Sequence, residues 1–265
     1  MHRLHLGIMS VGFAAMVWTL AASGVDGQVP PSAPAQPAAG QPAGSQLEQA
    51  IAWMQEAKRN YSAVKDYTCT LISRESIRGR LKDENIIQMK FRNAPFSVYM
   101  RWLGPPELQN QEVAYVAGQN KNQMRVHSKG ILKIAGFVSV DINDPRVMEH
   151  SRHTILEAGM GNLIDQTLVN WNNERKIGRS EVRLAEYEYD KRQCLRIENI
   201  RPERIQGLYA YRSVIYLDKA SKLPIRNESY DWPRQGGNPT GDLLESYSYV
   251  NLQFNVGLTD RDFAK

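Results

Sequence analysis

The sequence predicts an α+β protein in which a helix leads into one large, curled antiparallel sheet. Three observations predict this class: a helical apolar stripe at residues 46–62, a long series of segments with apolar residues at every second position, and turn residues between those segments. Roughly ten or eleven strands are expected, which is more than one flat twisted sheet carries comfortably, so the sheet should curl. With 42% hydrophobic and 23% charged residues among 265, the composition excludes disordered, collagen-like and disulfide-dense classes.

The first 46 residues are expected to precede the folded part. Residues 1–27 combine a short basic start, an apolar run and small residues, which is typical of a cleaved export signal; an uncleaved N-terminal anchor is the alternative. Residues 28–46 hold five of the 13 prolines among Ala, Gln, Gly and Ser, a composition typical of a disordered linker. We therefore expect one folded domain over residues 47–265.

The first folded element is predicted to be an amphipathic helix. Ser45 and Glu48 have the spacing of a capping box, so the helix should begin there. Leu47, Ile51 and Met54 then recur at intervals of four and three, which gives the helix one apolar face.

Strands are predicted from Asp66 onward, because the apolar period changes to two. The clearest runs are residues 86–92, 96–102 and 207–218. Such alternation is typical of antiparallel strands with one buried and one solvated face. Gly and Pro punctuate the runs, as in residues 93–95, and mark the turns.

One helical insert is expected to interrupt the strands. Thr154 and Glu157 form a second capping-box spacing, and a broad apolar stripe follows. Gly159 and Gly161 weaken a helix by about 1 kcal/mol each relative to Ala, which suits a movable cover. A core helix with two glycines for close packing is the alternative. The apolar residues of this candidate lid helix are Leu156, Met160, Leu163, Ile164 and Leu168.

No motif in the sequence points to catalysis, to a cofactor or to a metal. His150 and His153 have helical spacing, but two histidines without a third ligand make a poor zinc site. Glu149 and Arg152, beside His153, form the one neighbouring group that would suit a hydrolase. The net charge is +5, and because the basic residues form no stripe, nucleic-acid binding is not expected.

The chain has two cysteines, Cys69 and Cys194. Both lie in the part expected to be exported, where oxidation is permitted, so an even pair favours a disulfide. The sequence leaves open whether their strand faces coincide.

Four stretches of the sequence together carry a resemblance to a known family. They are Asp66–Glu75 (DYTCTLISRE), Pro95–Gly104 (PFSVYMRWLG), Ser151–His153 and the ending Tyr249–Phe263. In this order they resemble a family of exported bacterial proteins, domain of unknown function family 1571. Ile215–Asp218 with Leu223–Arg226 resembles the strand–turn–strand hairpin of the wider LolA-like lipoprotein-carrier superfamily.

The resemblance implies a strongly curved, unclosed antiparallel half-barrel with helices on its concave side, and it supplies no catalytic residue. It also implies the periplasm of a Gram-negative-type bacterium, with the signal peptide removed. Better-studied members of the superfamily carry lipid-modified proteins or other lipids, or sense them. A lipid or acylated ligand is therefore the implied partner. We expect the protein to be a monomer.

The concave face of such a sheet is expected to be too wide for two helices to fill, which would leave an apolar hollow for a guest molecule. Its candidate lining residues are Ile87, Met89, Phe91, Val98, Met100, Trp102, Met124, Val126, Tyr209 and Tyr211. The leading hypothesis is a non-enzymatic periplasmic carrier or binding protein for a lipid-like ligand. The second is a protein-interaction or stress-sensing module with a filled barrel and envelope proteins as partners, and the third is an envelope hydrolase.

Overall fold

The computed structural model describes residues 43–128, 136–177 and 179–264. The predicted export signal and most of the predicted linker lie outside these residues. Within them the chain forms twelve strands: β1 (Asp66–Ile77), β2 (Arg80–Leu81), β3 (Asn85–Arg92), β4 (Ser97–Gly104), β5 (Glu112–Val116), β6 (Met124–His127), β7 (Val138–Val140), β8 (Glu181–Tyr189), β9 (Arg192–Ile200), β10 (Arg212–Asp218), β11 (Pro224–Tyr230) and β12 (Leu243–Phe254). The helices are α1 (Ala43–Tyr61), α2 (Pro145–Met148) and α3 (Met160–Ile177), with 3-10 turns at Asn120–Asn122, Ile155–Glu157 and Asp260–Asp262.

All strand pairs are antiparallel and belong to one sheet. Its order is β7-β6-β5-β4-β3-β1-β12-β11-β10-β9-β8, and the short β2 pairs with β1. The two outer strands in this order, β7 and β8, do not pair with each other, so the sheet is unclosed. The predicted class, an unclosed antiparallel sheet with few helices, is confirmed, with slightly more strands than expected.

The long helices cover one face of the sheet, which we call the inner face. Tyr67 of β1 points to this face and its hydroxyl accepts a hydrogen bond from the backbone N–H of Met160 at 3.1 Å, where α3 begins. The helices α1 and α3 pack antiparallel, because Glu48 near the start of α1 lies by Arg175 near the end of α3. None of the described helices is long and apolar enough to cross a membrane.

The first helix begins earlier than predicted. It starts at Ala43, so the capping-box position Ser45 lies inside the helix and not at its start. The predicted linker, which was extended to residue 46, is correspondingly too long at its folded end. The apolar stripe of Leu47, Ile51 and Met54 is buried as expected.

The two glycines near α3 serve close packing. Gly159 precedes the helix with a φ of +100°, and a Cβ there would lie 2.3 Å from Cε2 of Phe91. A Cβ on Gly161 would lie 2.6 Å from Cε1 of Tyr61. The alternative stated above, glycines that allow close approach, therefore explains both positions.

The second capping box caps a different element from the one predicted. Thr154 and Glu157 close the 3-10 turn that precedes α3. Leu156 lies in that turn and is 41% exposed, so it is not part of a lid helix. On α3 itself Met160 and Ile164 are fully buried, and the remaining candidates, Leu163 and Leu168, are half-buried.

The strand predicted from residue 207 begins later. Gly207 has a φ of +90°, which breaks an extended strand, and β10 starts only at Arg212. Tyr209 and Tyr211 therefore lie in the segment between β9 and β10 and not on a strand, which corrects the predicted start of this strand. Their role in lining a cavity stays a prediction.

The two cysteines are free thiols, which corrects the disulfide prediction. Cys69 in β1 faces inward, whereas Cys194 in β9 lies on the opposite face of the sheet. Three strands separate β1 from β9, so their spacing along the sheet is on the order of 19 Å at ~4.8 Å per strand. A disulfide needs Cα atoms about 4.4–6.8 Å apart.

The C-terminal segment packs on the outer face. The carboxylate of Asp66 accepts hydrogen bonds from the backbone N–H groups of Gly257 and Leu258, both at 3.1 Å. Phe263 is 2% exposed, and its ring centroid lies 4.9 Å from the Arg92 guanidinium carbon. These contacts hold the last described residues against the outer face of the sheet.

Candidate functional site

The predicted cavity residues on β3, β4 and β6 form one continuous apolar surface on the inner face. The register places Met89 opposite Met100 and Ile87 opposite Trp102, with side chains on the same side. We call this surface the apolar wall; its members are Ile87, Met89, Phe91, Val98, Met100, Trp102, Met124 and Val126. The register places these residues on one face of the sheet, and their predicted role in lining a ligand cavity stays a prediction.

The apolar wall is packed and not hollow in this arrangement. Ile87, Met89, Phe91, Val98 and Met124 are each 0–3% exposed. The described residues enclose a cavity of about 10 Å³ beside Glu174 and Arg201, and they form an open groove of about 490 Å³ along α1 and α3. Neither is lined by the wall.

A strap, which we define as residues 141–158, follows β7 and crosses to α3. It carries α2 and the 3-10 turn before α3. Its apolar side chains, Ile142, Val147 and Ile155, pack into the same core as the wall. Val140, just before the strap, pairs with Met124 of the wall in the β6–β7 register. The strap is thus a cover with an apolar underside.

Charged side chains attach the strap to the middle of the sheet. Glu75 of β1 and Glu245 of β12 are register partners on the inner face, 7% and 5% exposed. His153 Nε2 lies 2.7 Å from Glu245 Oε2, and Arg152 Nε lies 3.3 Å from the same oxygen. The backbone N–H of Arg152 donates to Glu75 Oε2 at 2.9 Å. We call these four residues the latch.

The latch holds His153 as an imidazolium ion. Burial alone lowers its pKa, but hydrogen bonding to Glu245 and the charge of that carboxylate, followed by those of Glu157, raise the pKa of His153 to about 9. For Glu245, burial raises the pKa, yet His153 and Arg152 outweigh burial and leave it lowered. The two partners are therefore ionised together across the neutral range.

This arrangement differs from the hydrolase grouping suggested by the sequence. Both ring nitrogens of His153 face carboxylates, at 2.7 Å and 3.1 Å, so neither is left to accept a proton from a hydroxyl nucleophile. Glu149 does not join the group, because it lies at the surface 3.5 Å from Arg78. Sequence reasoning found Arg152 and His153 but missed Glu75 and Glu245, which are 77–93 residues away along the chain.

A second cover approaches the strap from the other side. The segment between β9 and β10 carries Tyr209, whose hydroxyl accepts a hydrogen bond from Arg152 Nη2 at 3.4 Å. This contact joins the strap to the β9–β10 segment over the charged end of the inner face. This hydrogen bond is longer than the contacts within the latch, so the contact between the two covers is weaker than the contact between the strap and the sheet.

The described residues contain no group of three or more His, Cys, Asp or Glu side chains arranged to hold a metal ion. The two carboxylates of the latch are matched by Arg152 and His153. The chemistry available at this site is therefore hydrogen bonding, ion pairing and apolar contact.

The fold and the site together define a class: an unclosed antiparallel sheet with an apolar inner wall, closed by two helices and a charge-attached strap. The chain belongs to the family described as Protein of unknown function (DUF1571), whose model matches residues 64–265. A comparison with curated protein sequences finds no match.

The chain is also similar to several solved structures. An uncharacterized conserved protein from Thermus thermophilus shares 12% identity with a TM-score of 0.45, over 82% of this chain and 93% of that one. A LolA superfamily protein from Nitrosomonas europaea shares 10% identity with a TM-score of 0.37, over 82% and 97%. MucB in the Pseudomonas aeruginosa MucA/MucB complex shares 11% identity with a TM-score of 0.46, over 82% and 61%. At these values the likenesses assign no role to any residue of this chain.

Proposed function

We propose that this domain is a non-enzymatic, exported binding or carrier protein that holds the acyl chain of a lipid or lipid-modified ligand against the apolar wall. The observation that carries the proposal is the nature of the cover over the inner face. The strap covers part of the apolar wall and is attached to the sheet by ion pairs. Because water can solvate the separated charges, the strap can detach from the sheet more easily than a side chain can leave a continuous apolar core.

Energetics favour an acyl chain as the guest. A buried chain gains about 0.8 kcal/mol per methylene, so a dozen methylenes gain on the order of 10 kcal/mol. Association costs about 4–15 kcal/mol in lost freedom. A chain of this length therefore offsets the lower part of that cost, and a longer chain is needed to offset the exposure of the strap's apolar side chains when the strap moves aside.

The closed arrangement fits an empty carrier. A wall of this kind left open would expose a large apolar patch to water, and soluble monomers rarely expose more than a few hundred Å². In the proposal the strap's Ile142, Val147 and Ile155 occupy the wall when no ligand is present, and the acyl chain replaces them.

The test uses two substitutions on one strand. Met100→Glu places a charge on the wall, whereas Leu103→Glu changes a residue on the same strand that is 45% exposed. We expect the exported protein to co-purify with lipid by mass spectrometry and to bind a fluorescent fatty-acyl probe. Met100→Glu should weaken probe binding by about tenfold or more, since a charge next to a methylene chain costs at least about 1.4 kcal/mol, and Leu103→Glu should not.

Thermal unfolding of each variant separates loss of binding from loss of fold, and Met100→Ala supplies a milder change if the charged variant fails to fold. Absence of co-purifying lipid together with absence of probe binding would exclude the carrier function.

A second function is favoured by a separate observation. Leu81, Ile86 and Leu103, near one end of β2, β3 and β4, are 42%, 38% and 45% exposed. A packed inner face with exposed apolar residues outside suits a protein-interaction module of the cell envelope. In that case Leu103→Glu, and not Met100→Glu, should abolish cross-linking to an envelope protein.

A further inference from the structure

The inner face divides into two chemically different halves. On β3, β4 and β6 it is the apolar wall, whereas on β9–β12 many inward positions are polar. The register aligns Asn199, Ser213, Ser229 and Glu245 in one row across these four strands. Asn227 lies in the neighbouring row beside Tyr247. We call these five positions, with Arg201 at the end of β9, the polar half.

The charges of the polar half are already balanced within the protein. Glu245 is paired with His153 and Arg152 of the latch. At the other end of the row Arg201 pairs with Glu174 of α3. A ligand is therefore not needed to neutralise a buried charge here.

Several neutral and donor atoms in this half are left without a partner. Asn199 Oδ1, Asn227 Oδ1 and Arg201 Nε are buried and form no hydrogen bond with the described residues. Asn199 is 0% exposed, Arg201 4% and Asn227 7%. Buried polar atoms of this kind cost about 1–3 kcal/mol each when unpaired, so a partner from outside the chain is expected.

The orientation of the Asn199 amide is fixed. Its Nδ2 donates to Glu174 Oε2 at 2.5 Å, and turning the amide round would place two acceptor oxygens against each other. Its free oxygen is therefore an acceptor, and two residues later the free Nε of Arg201 is a donor. A cavity of about 10 Å³ lies beside Arg201 and Glu174, and Asn199 is not among its lining residues.

A hydroxyl group is the chemistry that matches this set, because it donates to one oxygen and accepts from one N–H. A carboxylate or phosphate brings only lone pairs against the fixed oxygen of Asn199, and the carboxylate of Glu174 lies beside that position. A quaternary ammonium group offers no hydrogen-bond donor to the asparagines and no acceptor to Arg201.

We propose that the polar half is the subsite for an uncharged, hydroxyl-bearing polar end of an amphipathic ligand, such as a glycerol or sugar group, whose chain lies on the apolar wall. This inference rests on the proposed carrier function and names its ligand class. The polar end enters where the strap meets Tyr209, next to the row.

The experiment compares amphiphiles with the same dodecyl chain and different polar ends, below their micelle concentrations. Monododecanoyl glycerol and dodecyl glucoside carry hydroxyls, dodecanoate is anionic and dodecyltrimethylammonium is cationic. Affinities are measured by calorimetry on the full exported chain. The two hydroxyl-bearing compounds should each bind about tenfold more tightly than either charged one, and their ratio distinguishes glycerol from sugar.

Asn227→Leu should remove this preference by weakening the hydroxyl compounds about tenfold while leaving dodecanoate unchanged. Gln88→Leu, on the exposed outer side of β3, is the matched control and should leave every affinity as it was. Equal affinities for all four compounds in the unmodified chain, or an unchanged preference in folded Asn227→Leu, would overturn the subsite. Failure of every compound to bind would instead exclude the carrier function itself.

Discussion

Replacing Glu245 by Gln tests whether the latch holds the strap in place. The substitution keeps the shape of the side chain and removes its charge. It leaves Arg152 and His153 on the strap without the carboxylate that lies 3.3 Å and 2.7 Å from them, while the bond from Arg152 N–H to Glu75 stays intact.

The expected loss follows from the burial of the pair. Glu245 is 5% exposed, and removing one partner of a buried pair costs about 3–5 kcal/mol when the other charge stays buried. His153 and Arg152 are partly exposed and regain some water, so about 2–3 kcal/mol is the appropriate range here. This corresponds to roughly 30- to 150-fold more frequent opening of the strap.

Hydrogen exchange of the strap amides measures that opening directly. The amide of Arg152 donates to Glu75 of β1, and the amides of Glu157 and Ala158 donate within the strap. Their protection should fall by that factor, while the protection of the central strands β1 and β12 changes less. Glu149→Gln is the control, since its ion pair with Arg78 is exposed and contributes at most about 0.5 kcal/mol. Unchanged strap protection in folded Glu245→Gln would refute the reasoning.

Further predictions concern pH, backbone conformation and the thiols. The pKa of His153 is raised from 6.5 to about 9, so its contribution to the free energy of unfolding is complete below pH 6.5 and should be lost as pH rises through about 9. Urea unfolding should show this loss, and a His153→Gln variant should not. Gly159→Ala should destabilise the protein by about 2–4 kcal/mol, because it combines a strained φ with a clash. Gly79→Ala should cost about 1–2 kcal/mol, because Gly79 has a φ of +77° but open space around it. Equal costs for the two substitutions would contradict the packing argument. Thiol titration of denatured, unreduced protein should count both Cys69 and Cys194, and a count of zero would restore the disulfide.

The sequence predicted the sheet more successfully than the helix boundaries, for a physical reason. Strand alternation reports which face is buried, and it selected the eight residues of the apolar wall. Capping-box spacing shows only that two local hydrogen bonds can form, and it does not say which kind of helix follows. Thr154 and Glu157 form these bonds at a 3-10 turn. Gly159 was interpreted as softening a helix because its contact with Phe91 lies 68 residues away along the chain.

The latch and the polar half were only partly accessible from the sequence. Arg152 and His153 stood out as neighbours, but their partners Glu75 and Glu245 lie on strands that meet only in the folded sheet. Polar residues at inward strand positions carried a usable signal, since Asn199 and Asn227 share the inward face with buried isoleucines. The sequence analysis did not single them out, because alternation alone does not say which face is buried when both faces carry polar residues.

The position of the last strand has a consequence for how the chain acquires its structure. β12 lies between β1 and β11, and Tyr67 is paired with Phe254 across nearly the whole described chain. The arms β3–β7 and β8–β11 are meanders of sequence neighbours and close small loops, but only β12 joins them, which makes this seam a high-contact-order step. Folding therefore cannot finish until the C-terminal strand has been synthesised and has paired with β1 and β11. In a chain truncated before β12, both arms should keep unpaired strand edges that are prone to aggregation.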